Sequence, residues 1–233
     1  SVLAYLDEST KTLHISSNNK GDIIFPEDSS YMFADIQRKK SIFKNVYTGK
    51  VTNMQGMFKR YNHSGTSTPE NAILDLSKFD FSNVTDVSSM FEEACIQLKN
   101  LNLNTCNTKN FSKMFYTDPN AALYPQMSGG LAGENHIKID ITNAENLYQM
   151  FHGNVHLFGS ISFQGNPKLS SDKYDSIFAW TSVIATNKSL TLYGDGNNSV
   201  LLNAFVSTKY PQANIVFDPS SSGEVHSLAQ TFA

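Results

Sequence analysis

The chain has 233 residues, 40% apolar and 17% charged, with a formal net charge of −3. That length can bury a sizeable core in one domain or two small ones. The weak acidity excludes an electrostatic footprint for nucleic acid, since Arg38-Lys39-Lys40 is the densest basic cluster and reads as a solvated face. No apolar run approaches the ~20 residues a membrane helix needs.

In chain order, the start at Ser1-Val2-Leu3 reads as a strand and not as a signal peptide, so the chain is expected to be cytosolic or a processed fragment. Alternating apolar triplets then recur. They are LHI (13–15), a blurred copy near 41–43, LDL (74–76), LNL (101–103), IKI (137–139), ISF (161–163), LTL (190–192) and IVF (215–217). A period of two in aliphatic residues predicts short strands with one face buried.

Between the triplets stands a second pattern, Met-Phe or its remnant, at Phe33, Phe58, Phe91, Phe115, Phe151, Phe178, Phe205 and Phe232. The steps are 25, 33, 24, 36, 27, 27 and 27 residues. Positions one, four and seven before each phenylalanine are mostly apolar too, as in Met90, Val87 and Val84 before Phe91. That spacing predicts one face of a short α-helix. Asn83, Asn107, Asn143, Ser170 and Asn197 are placed as its N-caps, and Pro26 as a first helical residue.

A unit of about 25 residues cannot bury its own apolar face, so stability is expected from stacking neighbours. The predicted fold is α/β: a right-handed leucine-rich-repeat-like solenoid of about eight strand–loop–short-helix rungs, with one parallel sheet. It forms a single domain over 1–233, and its phenylalanines form a buried spine.

The stretch LDLSKFDFSNVTDVSSMF (74–91), with Cys95 four residues on, resembles the repeat of BspA-like leucine-rich-repeat bacterial surface proteins. Leu74, Leu76, Ser77, Phe79, Ser82, Val84, Thr85, Met90, Phe91 and Cys95 stand in that motif's register. The resemblance weakens elsewhere, and from Phe151 onward rests on the triplet and the phenylalanine. It implies an extracellular adhesin or host-interaction protein of a bacterial surface, attached to the cell through a region outside this chain. It carries over no catalytic residue.

Two steps are long, and the excess falls in KRYNHSGTSTPEN (59–71) and YTDPNAALYPQMSGGLAGEN (116–135). Both are polar and rich in Gly, Pro and Ser, as surface loops are. Both follow a Met-Phe, so both are expected to leave one edge of the stack, where insertions often form a binding face. Tyr61, His63, Tyr116 and Tyr124 are the ligand-binding candidates, suited to stacking on a sugar ring or a peptide. Tolerated surface variation is the competing reading. The triplets' middle residues, His14 to Val216, make a mixed polar row that reads as a solvated face.

Enzyme signatures are absent: there is no nucleophile elbow, P-loop or dinucleotide fingerprint, and no recurrent carboxylate pair. His152 and His156 have metal-pair spacing, but Gly153-Asn154 between them breaks a helix, so no metal site is assigned. Gly194-Asp195-Gly196-Asn197 reads as a turn and not a calcium loop. Cys95 and Cys106 read as packed thiols, with a disulfide as the alternative. A non-enzymatic binding module follows, without cofactor, monomeric, engaging a host protein or glycan. The alternative is a structural spacer presenting another adhesive domain.

Overall fold

A computed structural model describes residues 2–7, 9, 12–17, 21–37, 40–41, 43–63, 73–103, 107–118, 126–127, 137–152, 156–157, 161–164, 169–174, 189–193 and 214–218. Phe178, Phe205, Phe232, Cys106, Asn197 and the turn at 194–197 lie outside them.

Strands β1 (Val2–Asp7) and β2 (Thr12–Ser17) form an antiparallel hairpin with Ala4 opposite Ile15. The triplet at 13–15 therefore pairs antiparallel, against the expectation of a parallel rung. Its connection to β1 is only four residues, too short for the crossover that parallel strands require.

Every other pairing among the described strands is parallel. β3 (Ile23–Ile24) pairs with β5 (Val46–Tyr47), and β6 (Ile73–Asp75) lies between β4 (Lys40–Ser41) and β7 (Gln97–Lys99). β9 (Gln126–Met127) pairs with β11 (His156–Leu157). A five-stranded sheet contains, from one edge, β8 (Asn102–Leu103), β10 (Ile137–Asp140), β12 (Ile161–Gln164), β13 (Ser189–Tyr193) and β14 (Asn214–Asp218).

The described strands thus divide among five sheets instead of the single one expected. The reason lies in distance from the phenylalanine. Leu74 stands 17 residues before Phe91 and pairs with Leu98, 17 before Phe115. Leu103 and Ile139 each stand 12 before theirs and pair with each other. The triplets at 74–76 and 101–103 thus occupy different strand positions relative to their phenylalanines, and triplet composition alone does not separate them.

In the five units from Phe33 to Phe151 the expected short helices are turns, whereas a helix stands at the expected place before Phe178. Among the described residues the one α-helix is α1 (Ser171–Tyr174). In the Met-Phe segments the methionine N–H bonds back three residues, as Met90 N to Val87 O (3.1 Å) and Met114 N to Phe111 O (3.1 Å). The residue two before each phenylalanine is left-handed: Tyr31 (φ 54°), Gly56 (58°), Ser89 (54°), Lys113 (55°) and Gln149 (53°). A left-handed residue in every unit ends any helix before a second turn can form.

What starts each turn is an Asp or Asn five residues before the phenylalanine. Asp28, Asn53, Asp86, Asn110 and Asn146 each accept, on Oδ1, the N–H two residues on, at 2.7–3.1 Å. This is an Asx turn. Two of the residues expected to cap do something else: the side-chain amides of Asn83 and Asn107 donate to the carbonyls of Gly49 and Ser82 in the preceding unit, while Ser170 stands directly before α1 as expected.

Five such turn units, centred on Phe33, Phe58, Phe91, Phe115 and Phe151, stack in chain order. Alternate N–H groups of one unit donate to alternate carbonyls of the next, as Phe91 N to Met114 O (2.9 Å) and Glu93 N to Tyr116 O (2.8 Å). The bridges Asp28–Asn53, Asn53–Asp86, Asp86–Asn110 and Asn110–Asn146 span 25, 33, 24 and 36 residues, the same steps as the phenylalanines. The rings consequently stack nearly parallel, with centroids 5.5, 5.9, 5.5 and 4.9 Å apart. Met57, Met90, Met114 and Met150 are fully buried beside them, as are Met54, Val87, Phe111 and Leu147. Thr108, a polar member of the core, donates its hydroxyl to Val84 O (2.9 Å). A second aromatic group, Phe25, Phe43 and Phe79, packs edge-on, with Phe43 and Phe79 4.9 Å apart.

Carboxylates also hold the strand-to-turn corners. Ser82 donates its hydroxyl (2.6 Å) and N–H (2.9 Å) to Asp80, keeping that carboxyl below its usual 3.8. Burial pushes Asp75 upward, but donations from the Asn100 amide and Ser77, with the Lys99 charge, outweigh it and bring it down. With folded pKa values below the unfolded ones, their stabilisation is full above about pH 4 and lost as pH falls through the folded values. Thermal melts are expected to be level near neutrality and to fall below about pH 4. A melting temperature unchanged on acidification would refute these roles.

Candidate functional site

The edge that continues past each phenylalanine is built by the same register. The residues one beyond it are Ala34, Lys59, Glu92, Tyr116 and His152, and the next are Asp35, Arg60, Glu93 and Thr117. Adjacent units interlock here: Lys59 Nζ meets Glu92 Oε1 at 2.9 Å, and Arg60 Nε meets Asp35 Oδ1 at 3.0 Å. The segments 59–71 and 116–135 both begin at the first of these positions, with unit 3 between them.

Tyr61 is not on this surface. It is 1% exposed, its ring edge-on to Phe58 (5.9 Å) and its hydroxyl bonded to the Ser41 hydroxyl. The turn continues past Phe58 through left-handed Arg60 (φ 54°) and Asn62 (φ 55°), which carries Tyr61 inward. Asn62 is buried too, donating its amide to Cys95 O (3.2 Å), and Cys95 itself is buried. Tyr61 and Asn62, near the start of the first insertion, are therefore core.

His63 and Tyr116 flank Glu93. The His63 ring Nδ1 lies 3.0 Å from Glu93 O, and the Glu93 N–H donates to Tyr116 O. Tyr116 is half-buried and stacks flat on His152 (5.5 Å, 6°), with Lys113 Nζ 5.0 Å from its ring centre. Burial, then the charges of Asp118, Glu92 and Glu93 and the Tyr148 hydroxyl, push the Tyr116 hydroxyl above its usual value of 10.0. Tyr124 lies outside the described residues.

The structure thus brings His63 and Tyr116 together, and adds three residues that sequence reasoning left out: Lys113, Glu92 and His152. His152 was weighed only as a metal partner of His156. Its position one beyond Phe151, matching Tyr116 beyond Phe115, was the available signal. Among the described residues no three His, Cys, Asp or Glu side chains are grouped to hold a metal ion. Nor is any helix there long and apolar enough to cross a membrane.

The resulting surface mixes an aromatic pair with two ion pairs. Residues 27–162 match the family described as "Mycoplasma protein of unknown function, DUF285". No curated protein and no solved structure matches the chain.

Proposed function

The chain belongs to this Mycoplasma family of unknown function, and from that premise we propose a non-enzymatic, extracellular binding module. It acts as a bacterial surface adhesin of the BspA-like type, held at the cell through a region outside these residues and engaging a host protein or glycan. The fold proposed with it is the right-handed leucine-rich-repeat-like solenoid, extended through the later triplets.

The observation that supports this reading is the common origin of the two insertions. Lys59 and Tyr116 occupy equivalent positions two units apart, so the origins of the two segments share one edge with His63, Lys113 and His152. Two strand spacings put those origins roughly 10 Å apart, a span that one ligand can bridge. A flat aromatic with a cation beside it favours a sugar face or a peptide side chain. The Lys59–Tyr61–Asn62 segment is structural, so a test must spare it.

We expect the triple variant H63A/Y116A/Y124A to melt within a few degrees of wild type and to lose at least tenfold in affinity for whichever matrix protein, mucin or glycan the wild type selects from an array. Wild-type silence on such arrays would overturn the adhesin reading. Undiminished binding by the variant would remove the site. The alternative, a spacer that holds another adhesive domain outward, is favoured by the regular stack itself. It predicts that the parent protein's adhesion survives the triple substitution.

A further inference from the structure

The five turn units are not equally covered. At each of their four junctions, the N–H groups four and two before the phenylalanine, at it, and two beyond it donate to the following unit. The N–H groups six and five before the next phenylalanine donate back. The side that a unit turns toward its predecessor thus holds two N–H groups at its start and then four carbonyls. Those carbonyls stand five, three and one before the phenylalanine and one beyond it.

In unit 1 the equivalent carbonyls are those of Asp28, Ser30, Met32 and Ala34, and among the described residues nothing donates to them. Strand β3 likewise has only β5 beside it. Met32 is 37% exposed where Met57, Met90, Met114 and Met150 are 0%, and Ile24 is 68% exposed beside exposed Tyr47. The end unit of a stack ordinarily turns a polar face outward, so exposed apolar side chains here mark a contact surface. Residues 21–37 contain no Lys or Arg. Asp35 is paired with Arg60, but Asp22, Glu27 and Asp28 are exposed and have no ion pair among the described residues.

We propose that this end face docks an arginine-bearing, apolar segment of a partner protein. Charge and hydrogen-bonding capacity together select that occupant. A guanidinium carries five N–H donors and no acceptor, so it satisfies neighbouring carbonyls without opposing them. Its charge meets Asp22, Glu27 and Asp28, and its weak hydration makes it easier to bring out of water than an ammonium. Aliphatic side chains between the arginines cover Ile24 and Met32. An unassisted strand fits poorly, because it alternates donors and acceptors along its edge. The same face of a second copy would set carbonyl against carbonyl and acid against acid. The surface differs from the loop edge at His63 and Tyr116 and does not rest on the adhesin reading.

The test is fluorescence anisotropy of a labelled peptide of alternating arginine and leucine, titrated with the full chain. Saturable binding is expected. A lysine–leucine peptide is expected to bind more weakly, and a glutamate–leucine peptide not at all. Ile24→Lys and Glu27→Lys, both at exposed side chains, are each expected to weaken the arginine–leucine peptide roughly tenfold with unchanged circular dichroism. Tyr148→Lys, exposed in unit 5, and H63A/Y116A/Y124A at the loop edge are expected to bind it as wild type does. Failure of the adhesin reading therefore leaves this result unchanged. No saturable binding by the wild type, or binding indifferent to I24K and E27K, would overturn the proposal. Equal binding of the lysine–leucine, glutamate–leucine or an all-arginine peptide would overturn it too. So would sedimentation showing that the chain self-associates and that I24K abolishes the association, which would make a second copy the occupant.

Discussion

Replacing Phe115 with alanine is expected to lower the unfolding free energy by about 3–5 kcal/mol. The ring is 1% exposed and lies between two others, 5.5 Å from Phe91 and 4.9 Å from Phe151. Truncation removes the transfer free energy of a benzyl group. It also leaves a void that backbone bonds to both neighbouring units prevent from collapsing, since Phe115 N donates to Met150 O and Met114 O accepts from Phe91 N. Because each unit is stabilised chiefly by its neighbours, the loss falls on two interfaces at once. Urea denaturation gives the number, and Phe115→Leu, which keeps most of the volume, is expected to cost less than half as much. A loss below about 1 kcal/mol for the alanine variant would contradict a packed ring column.

The second large effect is expected at Gly56, where alanine should cost about 2–3 kcal/mol from two separable sources. The backbone there is left-handed (φ 58°), which penalises any Cβ by roughly 1–2 kcal/mol. In addition, a Cβ would come within 2.3 Å of Tyr31 Cε1, since the Tyr31 ring from the equivalent position of unit 1 lies over the glycine. Ser89 and Lys113 adopt the same φ with side chains, so the conformation alone does not require glycine. Tyr31 is 49% exposed, and removing it should cost little. In a double-mutant cycle, Y31A is therefore expected to relieve part of the Gly56→Ala penalty, leaving about 1–2 kcal/mol of backbone strain. Strictly additive effects would mean that the ring does not cover the glycine.

The buried columns of the turn units are legible in the sequence because burial imposes one period on both candidate structures. Residues at one, four and seven before Phe58, Phe91, Phe115 and Phe151 are buried, as they would be on a helix face or in a run of turns, so apolar spacing does not distinguish the two. The discriminating signal is polar. An Asp or Asn stands five before Phe33, Phe58, Phe91, Phe115 and Phe151, and its side chain bonds the backbone two residues on, which favours turns over helix. Sequence reasoning gave the capping role to Asn83 and Asn107 instead, three residues too early.

The candidate site was readable in part for a similar reason. Composition marks 59–71 and 116–135 as loops, but it does not say where a loop leaves the core. Left-handed Arg60 and Asn62 keep Tyr61 inside, a backbone effect without a side-chain signature. His152 became visible only through its register with Tyr116.

The ring stack also separates chain length from packing. Successive phenylalanines are 25, 33, 24 and 36 residues apart, yet their centroids stay within 4.9–5.9 Å. Lengthening a connection from 24 to 36 residues adds only about 0.4 kcal/mol of closure entropy. A dozen residues can accordingly be exchanged at this edge while the interior keeps its geometry, so surface variety and mechanical constancy reside in different parts of one repeating unit.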